Sequence, residues 1–95
     1  MYRKVVGFLK RSYPQPHQVS VRRMNISDGY DGDCQLKSDN FLIRINRNLP
    51  EHEAIDTLLH EYAHVIAWKK CQYDDHCDEW GKAYSRIYRS FLKQF

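Results

Sequence analysis

Cysteine is scarce in this sequence, and its three copies are an odd number. A disulfide framework needs paired cysteines, so the count favours free thiols in a reducing compartment over a disulfide-stapled scaffold. Long apolar runs are also missing. The apolar run Val5–Leu9 is too short for the core of a secretory signal peptide, and no other stretch is long enough to span a bilayer. We therefore expect a cytoplasmic protein.

A strong charge of one sign is absent too. The formal net charge is +3 with 28% charged residues, a bias too weak to indicate a nucleic-acid partner. We find no repeat, linker or low-complexity tract. The chain is therefore expected to form a single domain, residues 1–95, with enough hydrophobic residues (42%) for a thin core. A bound metal would help to stabilise a chain this short.

The order of apolar patterns predicts an α+β domain. Helical spacing near the N-terminus predicts a first helix that ends before Pro14. Alternation predicts strands at Val19–Arg22 and Asn40–Asn46, with a shorter one at Cys34–Leu36, and short connections favour a small antiparallel sheet of two or three strands. Two helices follow, the first beginning near Pro50. The second carries a stripe that we expect to be core: Trp80, Ala83, Tyr84, Ile87, Tyr88, Phe91, Leu92 and Phe95.

The first of these two helices contains His60-Glu61-Tyr62-Ala63-His64, an H-E-x-x-H pattern. Residues four apart on a helix are offset by only about 40°, so both imidazoles can reach one metal ion. Glu61 lies beside them and can take a proton from a water on that ion. The histidines border the apolar stripe of the helix, where they are costly unless something binds them. The pattern therefore predicts a zinc site that hydrolyses peptide bonds.

A catalytic zinc ion usually has three protein ligands, and H-E-x-x-H supplies two. The third must come from the chain as it turns back after this helix. His76 is the best candidate because of its chemical type and its position, twelve residues past His64 and just before the last helix. A nearby carboxylate is expected to orient one of the rings by accepting its second N–H. The candidates for that role are Asp74, Asp75, Asp78 and Glu79.

Other third ligands stay open at this point. Glu79 or Asp78 would make an acidic third ligand. Cys77 would bind as a thiolate and favour a closed structural site. Cys71 and Cys77 together with the two histidines of the pattern would complete a Cys2His2 site.

The segments Leu58–His64 and Asp75–Trp80 resemble the SprT-like zinc metallopeptidases. That family carries H-E-x-x-H and then a His-Gly-x-x-aromatic segment that opens the next helix. His76 and Trp80 match its histidine and its aromatic residue, and Cys77 stands where glycine is usual. The resemblance covers roughly residues 40–92 and implies a minimal zincin-like fold, with the metal between the H-E-x-x-H helix and the next one. The chain also resembles the minigluzincins, which would make Glu79 the third ligand.

These observations together predict a zinc metalloendopeptidase with one Zn2+ per chain. The predicted ligands are His60, His64 and His76. Glu61 would act as the general base and return the proton to the leaving amine. A peptide or unfolded protein would add as a strand along Asn40–Asn46, interpreted as the edge strand, with affinity from main-chain hydrogen bonds and little selectivity. The candidates for a side chain that assists the oxyanion are Tyr73 and Tyr84.

Two other functions are kept open. A zinc-stabilised binding module without catalysis would use the same ligands, but a structural site has no need of Glu61. A nucleic-acid-associated protein would use a basic face, and SprT-like relatives often act on proteins attached to DNA. The residues available for such a face are Arg22, Arg23, Arg44, Arg47, Lys82, Arg86, Arg89 and Lys93.

Three smaller groups have simpler interpretations. The acidic segment Asp28–Asp33 lacks the spacing and the final glutamate of an EF-hand calcium loop, so it is interpreted as a turn. His17 and His52 lie in polar contexts and are interpreted as solvated surface residues.

Overall fold

The computed structural model describes residues 1–27 and 29–95. Its elements are α1 (Tyr2–Ser12), β1 (Gln18–Met24), β2 (Gly32–Lys37), β3 (Asn40–Asn46), α2 (Glu51–Ala67) and α3 (Asp78–Gln94). The predicted α+β class is confirmed. β2 begins at Gly32, inside the segment Asp28–Asp33 interpreted as a turn, and Asp28 itself lies outside the described residues.

The sheet is mixed, which corrects the prediction of an antiparallel one. Its strand order is β1-β3-β2. β2 and β3 form an antiparallel hairpin, whereas β1 pairs with β3 in parallel, Val19 opposite Phe41. The connection over residues 25–31 is long enough to carry the chain past β3, so β2 does not fold back on β1. β3, predicted to be an edge strand, is therefore the central strand, and β2 is an edge.

The core lies between one face of this sheet and α2. Alternate residues of β3 point into it, and Phe41, Ile43 and Ile45 are buried while Leu42 and Arg44 on the other face are half-buried. The apolar stripe of α2 covers the buried face, with Ile55, Leu58, Leu59 and Tyr62. Each buried aliphatic side chain contributes about 1.5–3 kcal/mol, so α2 is held firmly to the sheet.

The stripe on α3 is only partly core, which corrects the prediction for its C-terminal half. Ala83 and Ile87 are buried, but Tyr88, Leu92 and Phe95 are 40%, 59% and 42% exposed. Within the described chain α3 packs chiefly against α2. α1 and the residue after it add contacts to this half, with the rings of Phe8 and Phe95 5.5 Å apart and the hydroxyls of Tyr13 and Ser90 hydrogen-bonded at 2.6 Å. These contacts leave the outer part of the stripe exposed. No described helix is long and apolar enough to cross a membrane.

Two of the three cysteines are joined, which corrects the prediction of free thiols. Cys71 and Cys77 form a disulfide with their Cα atoms 5.6 Å apart, and Cys34 is free and half-buried. The pair spans the connection between α2 and α3. Packing of α2 against α3 closes that connection and brings the two residues together.

Candidate metal centre

α2 presents the H-E-x-x-H residues as the spacing predicts. The rings of His60 and His64 lie one turn apart at the edge of the buried face, with their centroids 5.1 Å from each other. Both rings are half-buried, and the Glu61 side chain between them is directed into the protein, with only 7% of the residue exposed. The carboxylate Oε2 of Glu61 lies 4.0 Å from Nε2 of His60.

His76 joins this pair from the connection between α2 and α3. Its Nε2 lies 3.4 Å from Nε2 of His60, and one ligating nitrogen from each of the three histidines lies within 4.8 Å of the other two. Among the described residues 1–27 and 29–95, no second group of three or more His, Cys, Asp or Glu side chains is close enough to share an ion. A turn at Asp74 helps to place His76, since its side chain accepts the His76 backbone N–H at 3.1 Å.

The other third-ligand candidates lie outside this group. Glu79 points along α3 toward Lys82, with 3.8 Å between its Oε1 and the ammonium. Asp78 is exposed at the start of α3. The thiols of Cys71 and Cys77 are used in their disulfide, which removes the donors of a Cys2His2 site. The geometry therefore favours His76 over these residues, as its ligand type and placement in the sequence do.

The environment keeps the two α2 imidazoles neutral. Burial, followed by the neighbouring His60 and His76 charges, lowers the pKa of His64 to about 4, and the charge and backbone of Asp75 act weakly in the opposite direction. Burial and the His76 charge also lower the pKa of His60. Neutral imidazoles keep a lone pair free for a metal ion. Three imidazole groups whose nitrogens lie within 4.8 Å of one another are a donor set that zinc accepts, so the residues fit the ion that the sequence predicts.

Trp80 is packed against all three histidines. Its ring centroid lies 4.9 Å from that of His60, 5.4 Å from that of His64 and 4.6 Å from that of His76. Its Nε1–H also donates to the backbone carbonyl of His60 at 3.3 Å. The sequence marks Trp80 as the aromatic residue of the His-Gly-x-x-aromatic pattern and as part of the core stripe of α3, and the residue is half-buried. The structure shows that this residue forms the wall behind the ligand group.

Glu61 has the electrostatic properties of a proton acceptor that works near neutral pH. Burial, followed by the nearby charge of Asp33, raises the pKa of Glu61 to about 7. A carboxyl group of this pKa can both accept and release a proton at neutral pH. Of the predicted tyrosines, Tyr73 is 99% exposed, whereas Tyr84 lies beside His60 and donates its hydroxyl to Asp56 at 2.9 Å.

A cleft of about 780 Å³ lies over these residues. Its walls are β2, α2 and the connection that carries His76. The sequence does not indicate two residues of the lining, Cys34 on β2 and Trp68 just after α2. Arg44 on β3 also lines the cleft, whereas the sequence suggested it only for a basic face. Burial raises the pKa of the Cys34 thiol to about 12, so this side chain is a neutral wall of the cleft. No sequence signal marks Cys34 and Trp68 as lining residues, because they reach the cleft only when the β2–β3 hairpin packs against α2.

Comparison with protein-family models matches residues 1–94 to the SprT-like family. The chain belongs to the SprT-like family. The match extends the resemblance from the two histidine segments to nearly the whole chain, α1 and β1 included. A comparison with curated proteins finds no significant match.

Among solved structures, this SprT-like chain is similar to the crystal structure of the metallopeptidase zymogen of Pyrococcus abyssi abylysin. The two share 22% sequence identity with a TM-score of 0.57, over 92% of this chain and 79% of that chain. At this level of identity the likeness shows a common fold. It supports the zincin-like architecture predicted for a SprT-like domain.

Several other predicted residues of the SprT-like chain make contacts outside the three-histidine group. Arg23 donates to the backbone carbonyls of Arg47 and Leu49 at 3.1 and 2.8 Å. Arg44 forms an ion pair with Asp33 across β2 and β3. These two residues of the predicted basic face therefore already have partners within the protein. His52 is exposed as predicted, but His17 is half-buried and packs edge-on against the ring of Phe41, 5.7 Å between centroids.

Proposed function

We propose that this SprT-like chain is a zinc-dependent endopeptidase. The observation that carries the proposal is that three histidines and one buried glutamate line the same cleft, beside β2, which is an edge strand of the sheet in the described part of the chain. His60, His64 and His76 would hold the metal. Glu61 would be the catalytic acid–base residue.

Zinc held by three histidines would act as a Lewis acid toward water and the scissile carbonyl. The protein supplies the proton transfer. The carboxylate of Glu61 accepts a proton from the attacking water and delivers it to the leaving amine. Its burial limits exchange with bulk solvent, so the proton is kept beside the reacting groups.

The substrate strand is expected along β2, since both edges of β3 are occupied. Asn46 N–H donates to the carbonyl of Asp31 at 2.8 Å, so Asp31 and Asn46 are a hydrogen-bonded pair of the antiparallel hairpin. Hydrogen-bonded and non-hydrogen-bonded pairs alternate along such a hairpin, so every second residue of β2 from Gly32 onward makes no backbone hydrogen bond to β3. The backbone groups of Gly32, Cys34 and Leu36 therefore point to the free edge. We propose that an extended or unfolded polypeptide pairs with these three residues, with main-chain hydrogen bonds and weak side-chain selectivity.

The test is metal content by mass spectrometry together with cleavage of casein, an unfolded substrate. Wild type and the variants Glu61→Gln, His76→Ala and Glu79→Ala are compared. We expect one zinc per chain in wild type, retained in inactive Glu61→Gln, lost in His76→Ala and unaffected in Glu79→Ala.

Each other outcome has a distinct meaning. Zinc loss in Glu79→Ala would move the third ligand to the acidic position. Zinc without any cleavage would favour the zinc-stabilised binding module. Absence of zinc in wild type would overturn the proposed function.

A further inference from the structure

The three histidines are not held equally. His60 and His64 are half-buried on α2, whose stripe is packed into the core. His76 is exposed and lies between the two helices. Its position depends on the Asp74 turn, on contact with Trp80 and on the path of the connection itself. His76 is therefore the member of the group whose placement is most easily lost.

The Cys71–Cys77 disulfide closes the connection that carries this histidine. Cys71 follows the end of α2, where its N–H donates to the Ala67 carbonyl at 3.1 Å. Cys77 is the next residue after His76 and the N-cap residue of α3, immediately before Asp78. The bond thus fixes the backbone beside His76 to the end of the helix that carries the other two histidines.

We propose that the Cys71–Cys77 disulfide positions His76, so that opening this bond weakens metal binding and makes the metal site sensitive to redox state. The inference rests on the proposed function, because it takes the three histidines as the metal site. Cys71 and Cys77 act here as positioning residues and do not touch the ion.

The physical basis is preorganisation. With the bond closed, residues 71–77 form a short ring that has few conformations, and little freedom is lost when His76 binds a metal. Exchange with a dithiol reductant opens the S–S bond, leaving two thiols in this chain and a disulfide in the reductant. The connection then samples conformations in which His76 points away from α2. The entropy cost of ordering residues 71–77 must then be met when the metal binds, so the affinity of the site for zinc falls.

The experiment measures zinc affinity by competition with a chelating dye, in a Cys34→Ser background that leaves only the two cysteines of interest. Oxidised protein is compared with protein reduced by a phosphine, which takes up the oxygen of one water as two thiols form. The excess phosphine is removed under anaerobic conditions before titration. A third sample carries Cys71→Ser and Cys77→Ser. We expect reduction and the double substitution each to weaken zinc binding about tenfold.

His76→Ala separates positioning from general stabilisation. If the disulfide acts through His76, oxidised and reduced forms of His76→Ala should bind zinc with equal, weakened affinity. A loss that persists in His76→Ala would overturn the proposal, because the bond would then support the site by another route. Circular dichroism and melting of the metal-free samples establish that each is folded at the titration temperature.

The remaining outcomes are also distinct. Equal affinity of oxidised and reduced protein would overturn the proposal and leave the three-histidine site intact. Tighter binding in the reduced protein, absent in the serine variant, would overturn it too, by showing that the thiolates become ligands. No zinc binding by the oxidised protein would instead be a failure of the proposed function.

Discussion

Glu61 is a charged residue type placed almost fully inside the protein. A buried carboxylate without a cation is unfavourable, and the pKa of Glu61, raised to about 7 by burial and by Asp33, expresses that cost. The folded protein therefore takes up a proton at Glu61 between pH 4.5 and about 7 that the unfolded chain does not. Stability falls as the pH rises through this window, in contrast to the usual behaviour of a paired carboxylate.

Glu61→Gln is accordingly expected to stabilise the metal-free protein at pH 8, by about 2 kcal/mol, since a neutral amide has no charge to bury. The difference in stability between Glu61→Gln and wild type should shrink as the pH falls toward 4.5, because Glu61 becomes protonated in the folded wild type. Thermal melting of the two metal-free proteins across this range tests the expectation. A difference independent of pH would contradict it.

Trp80 is expected to set the geometry of the ligand group. Trp80→Ala removes the ring that contacts all three histidines and the hydrogen bond to the His60 carbonyl. We expect a loss of about 2 kcal/mol in stability and about tenfold in zinc affinity, both largely restored in Trp80→Phe. Melting and chelator competition measure the two quantities.

Phe91→Ala is the matched control for that substitution. Phe91 is a half-buried aromatic residue on the same helix and packs against Tyr88 and Phe95. The Phe91→Ala substitution should lower the stability of the protein without changing its affinity for zinc. Equal effects of the two alanine variants on zinc binding would show that Trp80 acts only through the stability of α3.

At the scale of elements, the β2–β3 hairpin and α2 together form the cleft. β2 approaches α2 closely at Gly32, where a Cβ would lie 2.7 Å from the Arg44 carbonyl oxygen and 2.8 Å from Cγ2 of Thr57. The absence of a side chain therefore lets the edge strand lie against the helix that carries the histidines. The sequence pattern identifies Gly32 only as part of a turn.

Gly32→Ala should destabilise the protein by about 1–3 kcal/mol, because backbone and helix must move apart to admit the methyl group. Gly81→Ala is the control, since a Cβ there meets nothing within 4 Å and the residue is helical. It should stabilise by about 0.5–1 kcal/mol. Denaturant unfolding measures both, and a neutral Gly32→Ala would argue against the close approach.

Leu36→Pro tests the edge of β2 as the substrate site. The Leu36 N–H points to the free edge, so proline removes a group offered to substrate and no bond of the hairpin. We expect KM for a peptide substrate to rise about fivefold, the effect of one hydrogen bond, with stability nearly unchanged. Gln35→Pro, which removes a bond to β3, should instead destabilise the sheet. An unchanged KM in folded Leu36→Pro would place the substrate elsewhere.

For the whole molecule, we expect the proposed zinc ion to contribute a large part of the stability, because the core is small. Zinc at about a thousand times its Kd should add roughly 4 kcal/mol to unfolding, which for a domain of this size raises the Tm by more than about 10 °C. His76→Ala should lose most of this shift. His52→Ala, an exposed histidine on the first turn of α2, should keep it. A shift that survives in His76→Ala would remove His76 from the ligand group.

Much of the molecule follows from local patterns. The periods of 3.6 and 2 are properties of the backbone itself, so the helices and strands lie close to where the apolar residues predict them. His60, Glu61 and His64 are brought together by the same rule, since their spacing within one helix is enough to place them side by side. The third histidine followed from ligand chemistry and from the turn of the chain, and the geometry favours it.

The tertiary structure alone determined the strand order and the contacts between residues that are far apart in the sequence. β3 is central and β2 is the edge because the chain crosses between β1 and β2, a choice that neither strand's pattern contains. Cys71 meets Cys77, and Cys34 and Trp68 reach the cleft, only once α2, α3 and the hairpin have packed. The periodicity of apolar residues determines structure within one helix or strand. Contacts between elements depend on which apolar faces are buried against each other, and the packing of the whole chain determines that choice.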